Sequence, residues 1–329
     1  MKRSKKAVSV ILAAVLVSAT LAGCGKKDSA SGGAPFRIGV DQLVEHAALD
    51  ASYQGFVDAL KEAGYVDGEK ITIDYQNAQG DQANANTIAQ KLVNDNDDLI
   101  LAIATPASQA VANATKDIPI LVTAVTDPAA SGLVASNDAP GGNVSGTSDL
   151  TPVKEQIDLL QKLIPDAKKI AILYCSSEVN SKIQSDMAIE AAKALGIEAE
   201  EATVSNTNEI QQVVESLIDK VDAIYAPTDN VIAKAMPTVA QVANANGLPV
   251  ICGEEGMVDK GGLATYGIDY YELGKLTGKQ AVKIIEGKAT TADMPIEYLS
   301  KEQCKLSINE DVAAQLGIEI PADLKEDKQ

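Results

Sequence analysis

The side chains that could do chemistry in this chain fall into short polar loops, not into a catalytic constellation. Six such loops follow apolar runs: Asp41–His46, Thr105–Ser108 and Thr123–Asp127 in the first half, and Cys175–Ser181, Pro227–Asn230 and Gly253–Glu255 in the second. Their candidate binding side chains are His46, Thr105, Ser108, Thr126, Asp127, Asn180, Ser181, Thr228, Asp229, Asn230 and Glu255. Thr105-Pro106-Ala107-Ser108 puts a hydroxyl at a helix start and proline in the first turn. Free backbone N–H groups there suit a ligand carboxylate. Thr228-Asp229-Asn230 opens a matching helix later on. Plain capping explains any one such turn; similar polar loops on two facing lobes favour a shared ligand cleft. Two acidic loops add to this, Glu254-Glu255 and Asp269-Tyr270-Tyr271. A buried carboxylate is costly unless paired, and an α-ammonium would pair one. Solvated surface acid is the alternative. Asp269 ranks first because it falls at an expected hinge, with Tyr270 beside it and Ser148 at another crossing, Thr147–Thr151.

Enzymatic alternatives find little support. His46 is the only histidine, so a Ser-His-Asp triad or a histidine-rich metal site would have to be built around it. Cys24, Cys175, Cys252 and Cys304 are widely spaced and form no CxxC pair. No metal site and no cofactor is expected. A two-cysteine racemase needs thiols on opposite sides of a cleft, and Cys175 and Cys252 both fall in the second half.

The elements that position these loops alternate between short apolar runs and helical patterns. Strands are predicted at Phe36–Val40, Ile71–Tyr75, Leu99–Ala104 and Ile118–Val122, with helices at Leu49–Ala63, Gln82–Asn94 and Pro106–Ala114. The pattern then restarts. Strands follow at Lys169–Tyr174, Glu198–Val204, Ala223–Ala226 and Pro249–Cys252, with helices at Asn180–Leu195, Asn208–Asp219 and Asn230–Asn244. Such alternation predicts an α/β fold of two similar parallel-sheet lobes. The stretches Asp97–Val122 and Val221–Cys252 share one layout: a strand after Asp, a polar turn with proline, an alanine-rich helix and a proline-led strand. Lobe one is expected over 36–148 plus about 266–297, and lobe two over 149–265. The strand Leu263–Ile268 and helix Tyr271–Glu286 are expected to return to lobe one, and 298–329 is assigned to neither.

The N-terminus carries a different signal. Lys2, Arg3, Lys5 and Lys6 precede an uncharged run, Ala7–Ala22, that ends in Leu21-Ala22-Gly23-Cys24. This resembles the lipobox of bacterial lipoproteins, which implies cleavage after residue 23, lipidation of Cys24 and placement on the outer face of the cytoplasmic membrane. An uncleaved membrane anchor is the alternative, but the run falls short of the roughly 20 apolar residues a span needs. Residues 24–35 are rich in Gly and Ser and read as a tether. Without residues 1–23, 24 basic residues face 46 acidic ones. That surface repels nucleic acid and anionic headgroups, so membrane contact is expected through lipid only.

Taken in order, several motifs resemble one family. They are Val44-Glu45-His46, Ala104-Thr105-Pro106-Ala107, Val125-Thr126-Asp127-Pro128, Gly142-Asn143-Val144-Ser145-Gly146, Glu178-Val179-Asn180-Ser181, Gly267-Ile268-Asp269-Tyr270-Tyr271 and Leu316-Gly317-Ile318-Glu319-Ile320-Pro321. The set resembles the lipoprotein substrate-binding components of ABC importers, in the group that includes tryptophan-, tyrosine- and phenylalanine-binding members. The resemblance implies a type I periplasmic-binding fold with three crossings and no catalysis. Ligand would close the lobes, and the closed form would dock on a permease served by a cytoplasmic ATPase. It further implies that Thr105 and Ser108 hold a carboxylate with help from Thr126. Asp269 or a lobe-two carboxylate would hold the ammonium, Asp229 and Asn230 would face them, and His46 would lie at the rim or over the ligand side chain. An aromatic amino acid is the favoured ligand, although the chain has no Trp and two Phe. A lipoprotein sensor reporting to a signalling protein, or a receptor for another small solute, remains open.

Overall fold

In the computed structural model the described residues are 34–326; the leader, Cys24 and the tether up to residue 33 lie outside them. Strands β1 (Phe36–Gln42), β2 (Ile71–Asn77), β3 (Leu99–Ile103), β4 (Ile120–Val125) and β5 (Val144–Ser148) make the first sheet. Helices α1 (Ala47–Glu62), α2 (Gln82–Asn94) and α3 (Thr105–Ala114) connect them. The second lobe follows with α4 (Val153–Leu163), β6 (Lys169–Cys175), α5 (Val179–Ala194), β7 (Glu198–Val204) and α6 (Ile210–Leu217). Then come β8 (Ala223–Ala226), α7 (Asn230–Lys234), α8 (Met236–Ala245), β9 (Val250–Cys252), α9 (Glu255–Asp259) and β10 (Ala264–Gly267). Helix α10 (Tyr270–Ile285) and the short β11 (Glu297–Tyr298) belong to the first lobe, whereas β12 (Lys305–Ile308), α11 (Glu310–Leu316) and α12 (Ala322–Glu326) close the chain on the second.

The strand orders are β11-β5-β4-β3-β1-β2 and β12-β10-β9-β8-β6-β7. The repeat expected from sequence is therefore visible in space: β3 and β4 occupy the same sheet positions as β8 and β9. Every pairing is parallel except β12 against β10. The sheet centres read as continuous apolar runs because both faces are covered. Leu99–Ile103 and Ala223–Ala226 are buried along their whole length.

Three corrections to the expected layout have physical causes. The strand at Leu263–Ile268 does not return to lobe one: β10 pairs with β9 and β12 in the second sheet, and only the helix after it crosses back. The helix expected over Asn230–Asn244 is broken at Ala235, because Pro237 sits in the first turn of α8 and cannot donate to a continuing helix. The strand β5 lies inside the Gly- and Ser-rich stretch Thr123–Thr151 that reads as a separator, and helix α4 follows it where no element is expected. Val144-Ser145-Gly146-Thr147-Ser148 carries little apolar signal, yet all five residues are buried. A Cβ on Gly146 would collide with the backbone of Val122, so only glycine lets β5 lie against β4 there.

The chain passes between lobes at 149–152, 268–269 and 299–304. Helix α10 is held on α1 by close backbone approach: a Cβ on Gly274 would collide with the Ser52 carbonyl, and one on Gly55 with that of Tyr271. The second crossing is therefore anchored to lobe one immediately after it arrives. Among the described residues, no helix is long and apolar enough to cross a membrane.

Candidate functional site

The carboxyl ends of both sheets face a nearly closed cavity of about 20 Å³ between the lobes, so the cleft is shut down around its polar lining and must open to admit a solute. Lobe one contributes His46, Ala48 and Leu49 from the start of α1, and Ala124 and Thr126 from the end of β4. A register shift between Val122 and Val125, with Ala124 at φ 53°, aims this segment at the cavity. Asp149 and Tyr270 enter from two of the crossings. Lobe two contributes Asn180, Thr228, Asp229 and Asn230, then Glu254 and Met257.

The lobes are joined across this cavity by side chains. His46 Nε2 lies 3.2 Å from Asn230 Oδ1, and Gln184 Nε2 donates to Thr126 Oγ1 at 3.2 Å. At the rim, Lys234 Nζ donates to the Gln79 carbonyl at 3.2 Å. Gln184 also donates to Thr228 Oγ1, so one buried amide holds a threonine from each lobe.

The lobe-two wall is a closed hydrogen-bond network. Asp229 accepts from Ile232 N–H at 2.8 Å, Cys175 N–H at 2.7 Å and the Ser181 hydroxyl at 2.7 Å. Glu178 Oε2 accepts from Asn180 Nδ2 at 2.9 Å and from Asn230 Nδ2 at 2.6 Å. Glu254 caps its own helix through Gly256 N–H at 2.7 Å. Burial pushes these carboxyls up, Glu178 to about 8 and Glu254 to about 7, with the Asp229 charge adding to the rise at Glu178.

Asp149 stands apart. Its Oδ2 accepts from the Tyr270 hydroxyl at 2.8 Å, while Oδ1 is buried without a partner. Burial raises it to about 6 against the pull of the Tyr270 and Thr126 hydroxyls, so it remains mostly ionised at neutral pH. Asn180 Oδ1 and His46 Nδ1 are likewise buried and unpartnered. Because Asn230 turns its Oδ1 toward His46 and its Nδ2 toward Glu178, the imidazole proton sits on Nε2 and Nδ1 is a bare acceptor. Burial lowers His46 to about 4, keeping it neutral. The unpaired polar atoms of the cavity lining are thus acceptors, one of them anionic, and no lysine or arginine lines it.

Of the site residues expected from sequence, His46, Thr126, Asn180, Thr228, Asp229, Asn230 and Tyr270 line this cavity. The others do not. Ser108 donates its hydroxyl to Ala104 O at 2.9 Å, within its own helix, and Thr105 is buried beside it with its hydroxyl unpartnered. Asp127 holds the following turn through Ala129 N–H at 3.0 Å and Asn137 Nδ2 at 2.9 Å. Ser148 donates to Thr126 O at 2.7 Å, and Ser181 is consumed by Asp229. Glu255 points outward as the first residue of α9, and its neighbour Glu254 lines the cavity instead. Asp269 caps α10 through Glu272 N–H at 3.1 Å; the hinge carboxylate in the cavity is Asp149, which sequence reasoning missed. Tyr270 lines the cavity, while Tyr225 is core and donates to Gln156 Oε1 at 2.7 Å. Cys175 and Cys252 both lie in the second sheet, so they do not face each other across the cleft.

Comparison with known proteins agrees with this architecture. Residues 37–328 match the model of the ABC transporter substrate binding protein family. The chain is 45% identical over 328 residues to a tyrosine-binding protein of Clostridioides difficile, covering 97% of this chain and 94% of that one. A solved Streptococcus pneumoniae ABC domain in complex with L-Trp superposes with a TM-score of 0.86 at 41% identity, covering 89% of this chain and 98% of that one. The ligand-free, open structure of a substrate-binding protein with adhesive properties from Clostridium difficile is more similar in sequence, at 48%, over 87% of this chain and 96% of that one, yet its TM-score is 0.67. The lobes here are therefore arranged more as in the ligand-bound relative than as in the open one, in keeping with the bonds across the cleft. The chain belongs to the ABC transporter substrate-binding protein family: it is a solute receptor of type I periplasmic-binding fold, not an enzyme.

Proposed function

We propose that this receptor binds an aromatic amino acid, with tyrosine first, and delivers it to an ABC permease driven by a cytoplasmic ATPase. The observation that carries the ligand class is the orphaned, ionised Asp149 Oδ1 at a lobe crossing, in a cavity with no basic side chain. An α-ammonium satisfies it, and a buried charge pair of this kind is strongly favoured over the unpaired acid. The carboxylate goes to the start of α1, where His46 makes no side-chain cap and Ala48 and Leu49 line the cavity. That replaces the assignment to Thr105 and Ser108. The ring packs on Leu49, Ala233 and Met257, where sulfur against an aromatic edge is favourable. Because the ligand touches both walls, it stabilises the closed form, and that differential contact makes closure a signal.

The relatives support this reading: one is named tyrosine-binding, and the other was solved with L-Trp. The lipobox-like Leu21–Cys24 supports a lipid anchor at Cys24 and a place on the outer face of the cytoplasmic membrane. A thermal-shift panel of amino acids, sugars and nucleosides on residues 35–329 tests the ligand class. A ligand at 100 times its Kd adds about 2.7 kcal/mol. Shifts with Tyr, Trp or Phe are expected; shifts confined to sugars or nucleosides overturn the proposal. Labelled palmitate incorporation lost in Cys24→Ala tests the anchor.

A further inference from the structure

We propose that Asn180 reads the ring of the ligand: its Oδ1 accepts a hydrogen bond from a donor on the side chain, so the receptor takes aromatic amino acids bearing an O–H or N–H and discriminates against phenylalanine. The inference rests on the aromatic amino-acid reading above and assigns a specificity determinant within it.

The orientation of this amide is fixed by its surroundings. Asn180 is 3% exposed, and its Nδ2 faces Glu178 Oε2 at 2.9 Å, Thr228 O at 3.1 Å and Ser181 Oγ at 3.2 Å. Thr228 O is a carbonyl and only accepts. Glu178 Oε2 already accepts from the Asn230 backbone N–H at 3.2 Å and from its side-chain amide. Turning the Asn180 amide over would set its oxygen against both of these acceptors. Oδ1 is therefore held away from them, buried, unpartnered and on the cavity lining. A buried acceptor left unmade is costly, and a ligand that supplies a donor recovers that cost.

The ammonium is not that donor. Gln184, buried behind the lining, bridges Thr126 of lobe one and Thr228 of lobe two, both of which line the cavity. Asp149 lies at one end, its N–H on Val125 O at 3.1 Å, beside Thr126. Asn180 lies at the other, against Thr228. Asp149 follows β5 of lobe one and Asn180 belongs to α5 of lobe two, on either side of this bridge, so two different groups of one ligand are assigned to them. The anionic acceptor takes the cation, and the neutral amide takes a neutral donor. A phenol O–H or an indole N–H supplies one; a phenyl ring does not.

Calorimetric titration of the wild-type protein with L-tyrosine, L-phenylalanine, O-methyl-L-tyrosine and 4-amino-L-phenylalanine tests this. Tyrosine is expected to bind at least about 10-fold tighter than phenylalanine and O-methyltyrosine, which lack the donor, with 4-aminophenylalanine within about threefold of tyrosine. In Asn180→Leu, with folding checked by its melting transition, tyrosine falls to the phenylalanine level while phenylalanine keeps its affinity. Equal binding of tyrosine and phenylalanine by the wild type overturns the assignment whether or not the variant folds. So does a folded Asn180→Leu that keeps the preference or loses both ligands equally, which would put the ammonium on Asn180. Binding of none of the four removes the aromatic reading itself, and this inference with it.

Discussion

On the lobe-one wall, α1 begins at His46 without a side-chain cap, whereas on the lobe-two wall Asp229 and Glu254 turn back onto the helices they start and α5 begins uncapped at Glu178. Two lobes with one strand plan thus differ in how many of their cleft-facing helix starts they cap, although each also leaves a bare acceptor, His46 Nδ1 and Asn180 Oδ1. Lobe one keeps backbone donors open and stores strain at Ala104 and Ala124, both at positive φ. Lobe two spends its donors internally and leaves one acceptor, Asn180 Oδ1, with Asp149 adding a charged acceptor at the crossing. A zwitterion matches that division, because its carboxylate and ammonium face different partners. Duplication supplies the frame, and the choice of caps decides which wall reads which end of the ligand.

Removing the charged acceptor breaks the comparison most severely. In Asp149→Asn the Tyr270 hydroxyl still has an oxygen to donate to, so the fold is kept, but the ammonium loses its counter-charge. Affinity is expected to fall about 100- to 1,000-fold by calorimetry. Next comes the internal network of lobe two. Asp229→Ala uncaps α7 and strands the Cys175 N–H, so denaturant unfolding is expected to show a loss of about 2–4 kcal/mol. On lobe one, His46→Ala, which uncaps nothing, is expected to cost less than about 1 kcal/mol.

Acid sharpens the contrast further. Asp149 must be ionised to bind ammonium, so affinity is expected to fall as pH drops through about 6, by roughly tenfold at pH 5. His46, at about 4, stays neutral there and adds nothing. Stability of the ligand-free protein runs the other way. Glu178 and Glu254 are raised by burial, so the folded state holds protons the unfolded chain has released, and stability falls as pH rises from about 4.5 through 7 and 8. The ligand-free melting temperature is therefore expected to be higher at pH 5.5 than at pH 8. The bridge gives a modest effect: Gln184→Leu removes one bond between lobes and is expected to weaken ligand about 3- to 10-fold by calorimetry.

How much of this could be read beforehand follows from what each residue does. The strands that are apolar throughout, such as Leu99–Ile103, and the duplicated layout were legible, because burial on both faces leaves a continuous hydrophobic run. Strand β5 was not, because close approach to Val122 demands Gly146 and its neighbours Ser145, Thr147 and Ser148 are polar. The polar loops at strand ends were legible as a cleft, but not which side chains remain free within it. Asp269 and Asp149 are both acids at crossings. A helix begins directly after Asp269 and takes its carboxylate as a cap, whereas α4 begins only at Val153 and leaves Asp149 unspent. A carboxylate at a crossing with no helix immediately behind it is the signal that would have found it. Glu254 and Glu255 differ by one position, and only the backbone at the start of α9 decides that Glu254 turns inward.

The most direct test of complementary walls is calorimetric titration with L-tyrosine beside its two half-ligands, tyramine and 3-(4-hydroxyphenyl)propanoate. The account predicts one-to-one binding of L-tyrosine, loss of at least about 100-fold for the propanoate, which leaves Asp149 unpaired, and a smaller loss for tyramine, which leaves only the start of α1 unfilled. Binding of the propanoate as tightly as L-tyrosine would contradict it.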